Sequence, residues 1–417
     1  MLEFIELTNV GPAPHMRLDF APRLNILTGD NGLGKTFTLE VAWWVIAREW
    51  TQPAIPPPEG VDGARIAWMR DGGEHVHGFD AQTQRWAGPN PSLELSRRLG
   101  PVLSARCDGS YAVSDRARAR GGTYSRGPAA AQRGVFVLSP QAVWRGQTEE
   151  GEAVSNGLLL DWVDWQYRKQ DLFESLAEVL AVLSCSPEQP MRPGKPRRVL
   201  LGDPRDTPTV ELPYGTVPVT HLSAGMKRAV EVAYLLVWAF AEHREALALR
   251  KLPGPSGGVL LLIDEVEAHL HPQWQRRLLP AVLEAVKVIQ EDMQVQIIAT
   301  THEPLVLASL EPIWDEEKDA LFHFRLDHER KVAVDPVPWT RRGTVSAWLR
   351  SDVFDLGEDR SPQAEQAIED ARTLLRMDAP SKEAVREVTA RLQAALGDID
   401  PFWVRWAAFA EKAGVDL

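Results

Sequence analysis

The feature that most constrains this chain is the segment GDNGLGKT, Gly29 to Thr36, which has the spacing GxxxxGK[ST]. An apolar run, Leu24 to Leu27, precedes it, and a helical pattern follows it. The apolar residues of that pattern recur at i, i+3, i+4 and i+7: Leu39, Ala42, Trp43 and Ile46. Strand, glycine-rich loop and helix in this order predict a phosphate-binding loop on an α/β fold, because backbone N–H groups and the helix N-terminus then face one anion.

Each residue type in this loop has a separate physical role. Glycines let the backbone turn tightly, so that successive N–H groups point at phosphate oxygens. Lys35 can supply positive charge to the β and γ phosphates, and the Thr36 hydroxyl can take a position on Mg²⁺. We therefore predict that ATP is bound by Gly29, Asn31, Gly32, Gly34, Lys35 and Thr36.

Two acidic residues follow a second apolar run, Val259 to Ile263, which is typical of a buried parallel strand. Carboxylates at the carboxyl end of such a strand project into the ligand crevice. Asp264 is predicted to hold Mg²⁺, and Glu265 to act as the general base on the attacking water. Paired acids also occur in ordinary loops, and the phosphate-binding loop is what favours the functional interpretation here.

A histidine follows the next apolar run, Val295 to Thr300. A single histidine in such a place is more often structural. The end of a second parallel strand favours contact between His302 and the γ-phosphate, since imidazole can bond both a phosphate oxygen and the attacking water.

Composition narrows the class of protein. The 417 residues carry 46 Lys and Arg against 58 Asp and Glu, a net charge of −12, so any nucleic-acid contact needs a local basic patch. The longest apolar stretch, Val232 to Ala241, is too short for a bilayer span, and the N-terminus has acids where a signal peptide has bases. The two cysteines, Cys107 and Cys185, are isolated. We expect a soluble, cytoplasmic protein with no membrane partner.

The segment HLSAGMKR, His221 to Arg228, resembles the signature motif of ABC-type ATPases. The order of the motifs along the chain also resembles that of ABC-type ATPases: phosphate-binding loop, LSxG, Asp-Glu and histidine. DEVEAHLHPQWQ, ATTHEPLVLAS and the hairpin that leads into the loop are similar to the stand-alone branch of that superfamily, which includes RecF, SMC-like, OLD-family and antiphage PtuA-like ATPases. The resemblance covers residues 1–50 and 135–310.

The resemblance implies an ABC-type ATPase core, a mixed sheet with an N-terminal antiparallel β subdomain, plus a helical lobe and a helical tail. Together with the turns and linkers, it predicts four regions. These are an ATPase lobe with the phosphate-binding loop (1–135), a helical lobe that ends in the signature motif (136–255), the rest of the core (256–345) and the C-terminal helices (346–417).

The resemblance also implies a head-to-tail homodimer that sandwiches two ATP molecules. Ser223 and Gly225 of one protomer would bind the γ-phosphate held by the other, although Ser223 is equally suited to cap the following helix. Gln141 is the predicted glutamine ligand of Mg²⁺, with Gln147 as the alternative. Met226 and Glu303 depart from the usual pattern of the family.

The expected function is a Mg²⁺-dependent ATPase whose dimer cycle gates an effector protein encoded nearby, in antiphage defence or DNA maintenance. An OLD-like nuclease is the first alternative, but the one DxD of the tail, Asp398 to Asp400, precedes Pro401, where helix capping explains it better. A transporter ATPase subunit is the second alternative, and the long middle insertion argues against it.

Two basic segments could contact nucleic acid. Residues Ser114 to Gly134 are predicted to form a mobile loop, and Pro187 to Arg198 a linker; both could equally be solvated segments that offset acidity. The loop arginines are Arg116, Arg118, Arg120, Arg126 and Arg133. The linker cations are Arg192, Lys195, Arg197 and Arg198.

Helical patterns are predicted over Leu158 to Leu183 and Gln273 to Ile289. From Ser361 onward the sequence predicts three helices, capped by Ser361, Ser381 and Asp400.

Overall fold

The computed structural model describes the whole chain except residues 54–55, 89–99, 120–133, 254–256, 269, 357–359, 378 and 416–417. It divides into two compact units, Met1–Arg341 and Arg342–Leu417. The finer boundaries expected within the first unit stay predictions.

The strands of the described residues, numbered in chain order, are β1 Leu2–Val10, β2 Ala13–Asp19, β3 Leu24–Gly29, β4 Arg65–Arg70, β5 Gly73–Asp80, β6 Arg85–Ala87, β7 Val102–Ala105, β8 Tyr111–Ser114, β9 Val135–Leu138, β10 Gln147–Glu149, β11 Glu152–Ser155, β12 Arg192–Arg197, β13 Thr207–Leu212, β14 Gly215–Pro218, β15 Val259–Ile263, β16 Val295–Thr300, β17 Asp319–Leu326 and β18 Val332–Val337. The α-helices are α1 Lys35–Ala47, α2 Pro140–Arg145, α3 Leu158–Arg168, α4 Gln170–Val182, α5 Ala224–Leu249, α6 Pro272–Gln275, α7 Leu278–Ile289, α8 Pro304–Leu310, α9 Val345–Leu349, α10 Pro362–Leu375, α11 Lys382–Ala395 and α12 Phe402–Lys412.

A mixed eight-stranded sheet, in the order β18-β17-β3-β16-β15-β7-β8-β9, organises the first unit. Strands β17, β3, β16, β15 and β7 are parallel, and β8, β9 and β18 are antiparallel to their neighbours. Every residue of β15 is buried, as its continuous apolar run predicts. Ala299 pairs with both Ile263 and Ile26, so β15, β16 and β3 end at one edge of the sheet. The predicted α/β fold class is confirmed.

The predicted N-terminal hairpin is present as β1 and β2, in an antiparallel sheet ordered β2-β1-β4-β5-β6. Its turn contains Gly11, with φ 76°, where an added Cβ would lie 2.3 Å from the Phe37 ring of α1. Helix α1 is apolar almost all round because it is enclosed, and both Trp43 and Trp44 are buried. The hairpin therefore packs closely on the helix that carries the phosphate-binding loop.

The two long helical predictions were each wrong at one place. The expected helix from Leu158 to Leu183 is broken into α3 and α4 at Lys169, whose backbone leaves the helical region at φ −131° and ψ 71°. The expected helix from Gln273 to Ile289 is likewise divided into α6 and α7. Helical periodicity continues through each break, so the break itself left no signal in the apolar pattern.

The predicted linker from Pro187 to Arg198 contains a strand. Strand β12 pairs with β13 at the edge of a three-stranded antiparallel sheet, so the middle region holds strands as well as helices. An edge strand tolerates proline because one side of it needs no ladder hydrogen bonds. The basic residues of this segment thus lie on and beside a paired strand, not on a flexible linker.

The described part of the expected mobile loop is packed. Ser114 belongs to β8, and Asp115 is 2% exposed with its carboxylate 2.9 Å from His243 Nδ1. Arg116 donates to the Ala47 carbonyl oxygen, and Arg118 pairs with Glu242 on α5. Arg120, Arg126 and Arg133 lie outside the described residues. The two described arginines make protein contacts, which contradicts a freely solvated loop at this end.

The second unit contains the predicted C-terminal helices, α10, α11 and α12, around a small apolar core that includes the fully buried Trp406. Ser361 and Ser381 accept hydrogen bonds from the first turns of α10 and α11, as predicted. Asp400 accepts one from the Phe402 N–H and pairs with Arg360, which supports the capping interpretation. Among the described helices, none combines the length and apolar character that a membrane span needs.

Candidate functional site

The phosphate-binding loop joins β3 to α1 at the carboxyl edge of the large sheet. At Gly29, φ is 122° and an added Cβ would lie 1.9 Å from the Phe324 carbonyl oxygen, so only glycine fits. Gly32 and Gly34 also have positive φ. Asn31 and Gly32 are exposed at the tip of the loop. The loop predicted from sequence is therefore present with its backbone in the required conformation.

Lys35 begins α1 and is 5% exposed. Its Nζ donates to the carbonyl oxygens of Gly29 at 2.8 Å and Asp30 at 2.6 Å. Burial lowers the pKa of Lys35 to about 8, against the raising effect of nearby carboxylates, of which Asp30 is the strongest. The ammonium group thus lies inside the loop, where phosphate oxygens could replace the carbonyl acceptors.

Thr36 and Asp264 meet across the sheet edge. Thr36 Oγ1 donates to Asp264 Oδ1 at 3.0 Å and lies 3.1 Å from Oδ2. Thr300 Oγ1, at the end of β16, donates to the same Oδ1 at 2.8 Å. A hydroxyl and a carboxylate side by side are hard oxygen ligands of the kind that Mg²⁺ takes in phosphate sites. No cluster of three or more His, Cys, Asp or Glu suited to a metal occurs among the described residues.

Glu265 follows Asp264 in the left-handed backbone region, with φ 46°. A non-glycine residue there is strained, and such strain persists only where surrounding contacts enforce it. The Glu265 N–H donates to Thr300 Oγ1 at 2.7 Å, and the next N–H, of Val266, to the Thr300 carbonyl oxygen at 3.1 Å. Thr300 thus positions both acidic residues, a role the sequence did not reveal.

His302 lies beside the loop. Its backbone N–H donates to Glu267 Oε1 at 2.6 Å, and Thr301 Oγ1 donates to Oε2 of the same carboxylate at 2.8 Å. Burial, followed by the charge of Lys35, lowers the pKa of His302, which favours the neutral imidazole. Glu267 fixes the backbone at the histidine and was also missed from sequence; its place two residues after Glu265 was the only signal.

The signature residues have local roles in the single chain. Ser223 is exposed and its Oγ accepts a hydrogen bond from the Met226 N–H at 3.4 Å, capping α5. Gly225 is buried, and an added Cβ would lie 2.9 Å from the indole ring of Trp274 on α6. The predicted contact of these residues with ATP of a second protomer stays a prediction.

Gln141 is exposed on α2, which follows β9. Strand β9 is three strands from β15 in the sheet, about 14 Å at a spacing of about 4.8 Å, and the Thr36–Asp264 pair forms without the glutamine. On the side of the sheet toward β9, the strand next to β15 is β7. Cys107 follows β7 in the chain, and its thiol lies beside Asp264. Burial, then the charge of Asp264, raises the pKa of Cys107. Gln147 is half-buried in the short strand β10. A magnesium role for either glutamine stays a prediction.

Comparison with protein families finds a match over residues 210–308 to the family described as "AAA domain, putative AbiEii toxin, Type IV TA system". This span includes the signature motif, the Asp-Glu pair and His302. The chain is 27% identical over 191 residues to the Septu protein PtuA of Bacillus thuringiensis, covering 45% of this chain and 44% of that protein. It is 26% identical over 160 residues to the Retron Ec83 probable ATPase of Escherichia coli, covering 37% of this chain and 26% of that protein.

The chain thus spans less than half of the length of these relatives. Among solved structures, the SMC head domain from Thermotoga maritima matches this chain over 81% of its length and 99% of the length of that domain, at 16% identity and a TM-score of 0.38. The family match, the two relatives and the loop geometry agree. Residues 210–308 therefore match an ATPase domain family of the AAA type, and the chain is homologous to the Septu and retron proteins over part of its length.

Proposed function

We propose that this protein binds and hydrolyses ATP with Mg²⁺ in a head-to-tail homodimer, and that the ATP cycle gates a partner protein in antiphage defence. The observation that carries the catalytic half is the Thr36–Asp264 pair beside the buried Lys35. A nucleoside triphosphate with its metal requires oxygen ligands, which Thr36 and Asp264 would supply, and a cation, which Lys35 would supply.

Each residue of the site has a separate chemical role. The loop N–H groups and Lys35 bind the phosphates, while Thr36 and Asp264 hold Mg²⁺. When bound, the metal neutralises charge on the β and γ phosphates. Glu265 orients the attacking water and takes its proton, and the neutral imidazole of His302 can donate to a γ-phosphate oxygen.

The defence half of the proposal is supported by similarity to the Septu and retron proteins. We infer that the partner is an effector encoded nearby and that it responds to the closed ATP-bound dimer.

The deciding test of the catalytic half is Glu265→Gln. Loss of the base with retention of side-chain shape should slow ATP hydrolysis by about 10²–10⁴-fold while ATP affinity changes little. Steady-state phosphate release and equilibrium nucleotide titration give the two numbers. Glu291→Gln, which removes the same charge from an exposed position between α7 and β16, is the matched control and should hydrolyse ATP normally.

Hydrolysis by Glu265→Gln at the wild-type rate would show that Glu265 is not the base. The same variant, used with ATP as bait in the native host, should retain the effector because the closed state accumulates. A Ser223→Arg bait, which cannot close the dimer, should not. Equal recovery of one protein on both baits would contradict gating by the ATP cycle.

A further inference from the structure

A second cluster of cationic side chains lies at the carboxyl end of α1, away from the nucleotide site. Arg48 follows the last residue of α1, Arg70 ends β4 and Arg116 follows β8. Lys35 and Arg48 are 13 residues apart along the helix, about 20 Å at 1.5 Å per residue. The cluster is therefore separate from the phosphate-binding loop at the opposite end of the same helix.

The guanidinium of Arg48 lies over the ring of Trp44 and beside the ring of His77. Its Cζ lies 4.3 Å from the centroid of the Trp44 ring, and its two terminal nitrogens each lie 3.4 Å from a ring nitrogen of His77. His77 is fully buried, and burial followed by the charge of Arg48 lowers its pKa to about 4. Both rings are thus uncharged at neutral pH. The Nε of Arg48 is buried and has no acceptor.

Arg70 is 3% exposed and has one partly exposed carboxylate beside it. Its Nε lies 3.3 Å from Asp71 Oδ2, and that carboxylate also accepts from the amino group of Met1. The Nη2 of Arg70 is buried and has no acceptor. The charge of Arg116 acts on both other arginines. Burial, followed by the charge of Arg116, lowers the pKa of Arg48 to about 10. Burial and the charge of Arg116 also lower the pKa of Arg70, against the raising effect of Asp71.

A buried guanidinium loses its hydration, and it is stable only where an anion and hydrogen-bond acceptors replace the water. Within the described part of the chain, Asp71 is the one carboxylate at ion-pairing distance from Arg48 or Arg70. The indole N–H of Trp68, which lies on the same strand as Arg70, is a further buried donor with no acceptor. Among the described residues, Arg48 thus has no carboxylate partner, Arg70 has one that it shares with the Met1 amino group, and three buried donors lack an acceptor.

We propose that Arg48 and Arg70 form a binding site for a phosphomonoester group at the carboxyl end of α1. A terminal phosphate supplies two negative charges and three oxygens, and the planar guanidinium forks match that geometry. Burial favours a terminal phosphate over an internal diester, which carries a single charge and is flanked by two sugars. The group could belong to a small phosphorylated molecule or to a phosphorylated end of a nucleic acid.

The test uses the full chain carrying Lys35→Ala, so that the phosphate-binding loop does not contribute. Inorganic phosphate is titrated calorimetrically against chloride at equal ionic strength, and thermal unfolding is followed in parallel. We expect one phosphate site and a phosphate-dependent rise in Tm, with at least about tenfold weaker binding after adding Arg70→Met. Arg168→Met, which removes an 80% exposed arginine of α3, is the matched control and should keep both signals.

A second variant, Arg48→Asn, tests the same site in case the Arg70→Met chain does not fold. Arg48 has φ 62°, and asparagine tolerates the left-handed region better than other non-glycine residues. Binding that survives both substitutions, or a chain that becomes more stable on Arg70→Met and never responds to phosphate, would overturn the proposal. A 5′-phosphorylated oligonucleotide and the same oligonucleotide without the phosphate then distinguish a nucleic-acid end from a small phosphorylated molecule. Only a site that accepts a nucleic-acid end should bind the phosphorylated oligonucleotide more tightly than the unphosphorylated one.

Discussion

At the scale of single residues, the site depends on a lysine whose pKa is lowered by burial. Lys35 donates to two backbone carbonyl oxygens, and burial lowers its pKa to about 8. Phosphate oxygens carry more negative charge than carbonyl oxygens, so a bound nucleotide should raise this pKa again. Nucleotide binding is therefore linked to uptake of a proton.

This linkage has a defined sign. Below pH 8 the free lysine is already charged and affinity should be constant. Above pH 8 it is neutral in the free protein but charged in the complex, so the Kd for ATP should rise by up to about tenfold per pH unit until the pKa of the complex is reached. Calorimetry in two buffers of different ionisation enthalpy measures the proton uptake directly.

The matched variant for this prediction is Lys35→Arg, whose guanidinium stays charged over the whole range. Its ATP affinity, whatever its absolute value, should be independent of pH between 8 and 10. A wild-type Kd that is equally flat would show that the lysine is not discharged in the free protein.

At the scale of elements, the signature helix α5 packs against the segment after Asp264, and its first turn does so at Gly225. Gly225 faces the indole of Trp274, with 2.9 to 3.2 Å available to a methyl group. Gly225→Ala should destabilise the protein by about 1–3 kcal/mol through overpacking, in spite of the better helix propensity of alanine. Urea unfolding measures the change.

The double variant separates packing from phosphate recognition. In a Trp274→Leu background, which removes the clash, Gly225→Ala should cost clearly less stability than in the wild type. If ATPase activity returns together with stability, the glycine is required for packing. Activity that stays lost in a stable double variant would instead assign the glycine to the bound phosphate.

At the scale of the whole molecule, the proposed dimer places each ATP between two chains. Ser223→Arg should abolish hydrolysis and spare ATP binding, because Ser223 is exposed and its Oγ accepts a hydrogen bond from its own helix turn. A mixture of Lys35→Ala chains with Ser223→Arg chains puts both defects at one composite site and leaves the other intact. Activity should then recover in part, provided that the two sites do not require each other.

Turnover that is independent of protein concentration, in a chain that stays monomeric with ATP, would contradict the shared site. Sedimentation with a non-hydrolysed nucleotide gives the oligomeric state in the same samples. Recovery in the mixture should also depend on the mixing ratio, since the intact site forms only between unlike chains.

The sequence alone determined whatever depends on short chain segments: the phosphate-binding loop, the buried strands that precede Asp264 and His302, the N-terminal hairpin and the capped C-terminal helices. Glycine spacing, apolar runs and caps are local, so they are visible without the fold.

The tertiary structure decided what depends on strand order and on packing between distant segments. Thr300 and Glu267 position the acids and the histidine only because β15 and β16 are neighbours, and β12 is a strand only because β13 lies beside it. Arg48 meets His77 because α1 packs on the second sheet through Trp44, which no periodicity in the chain records.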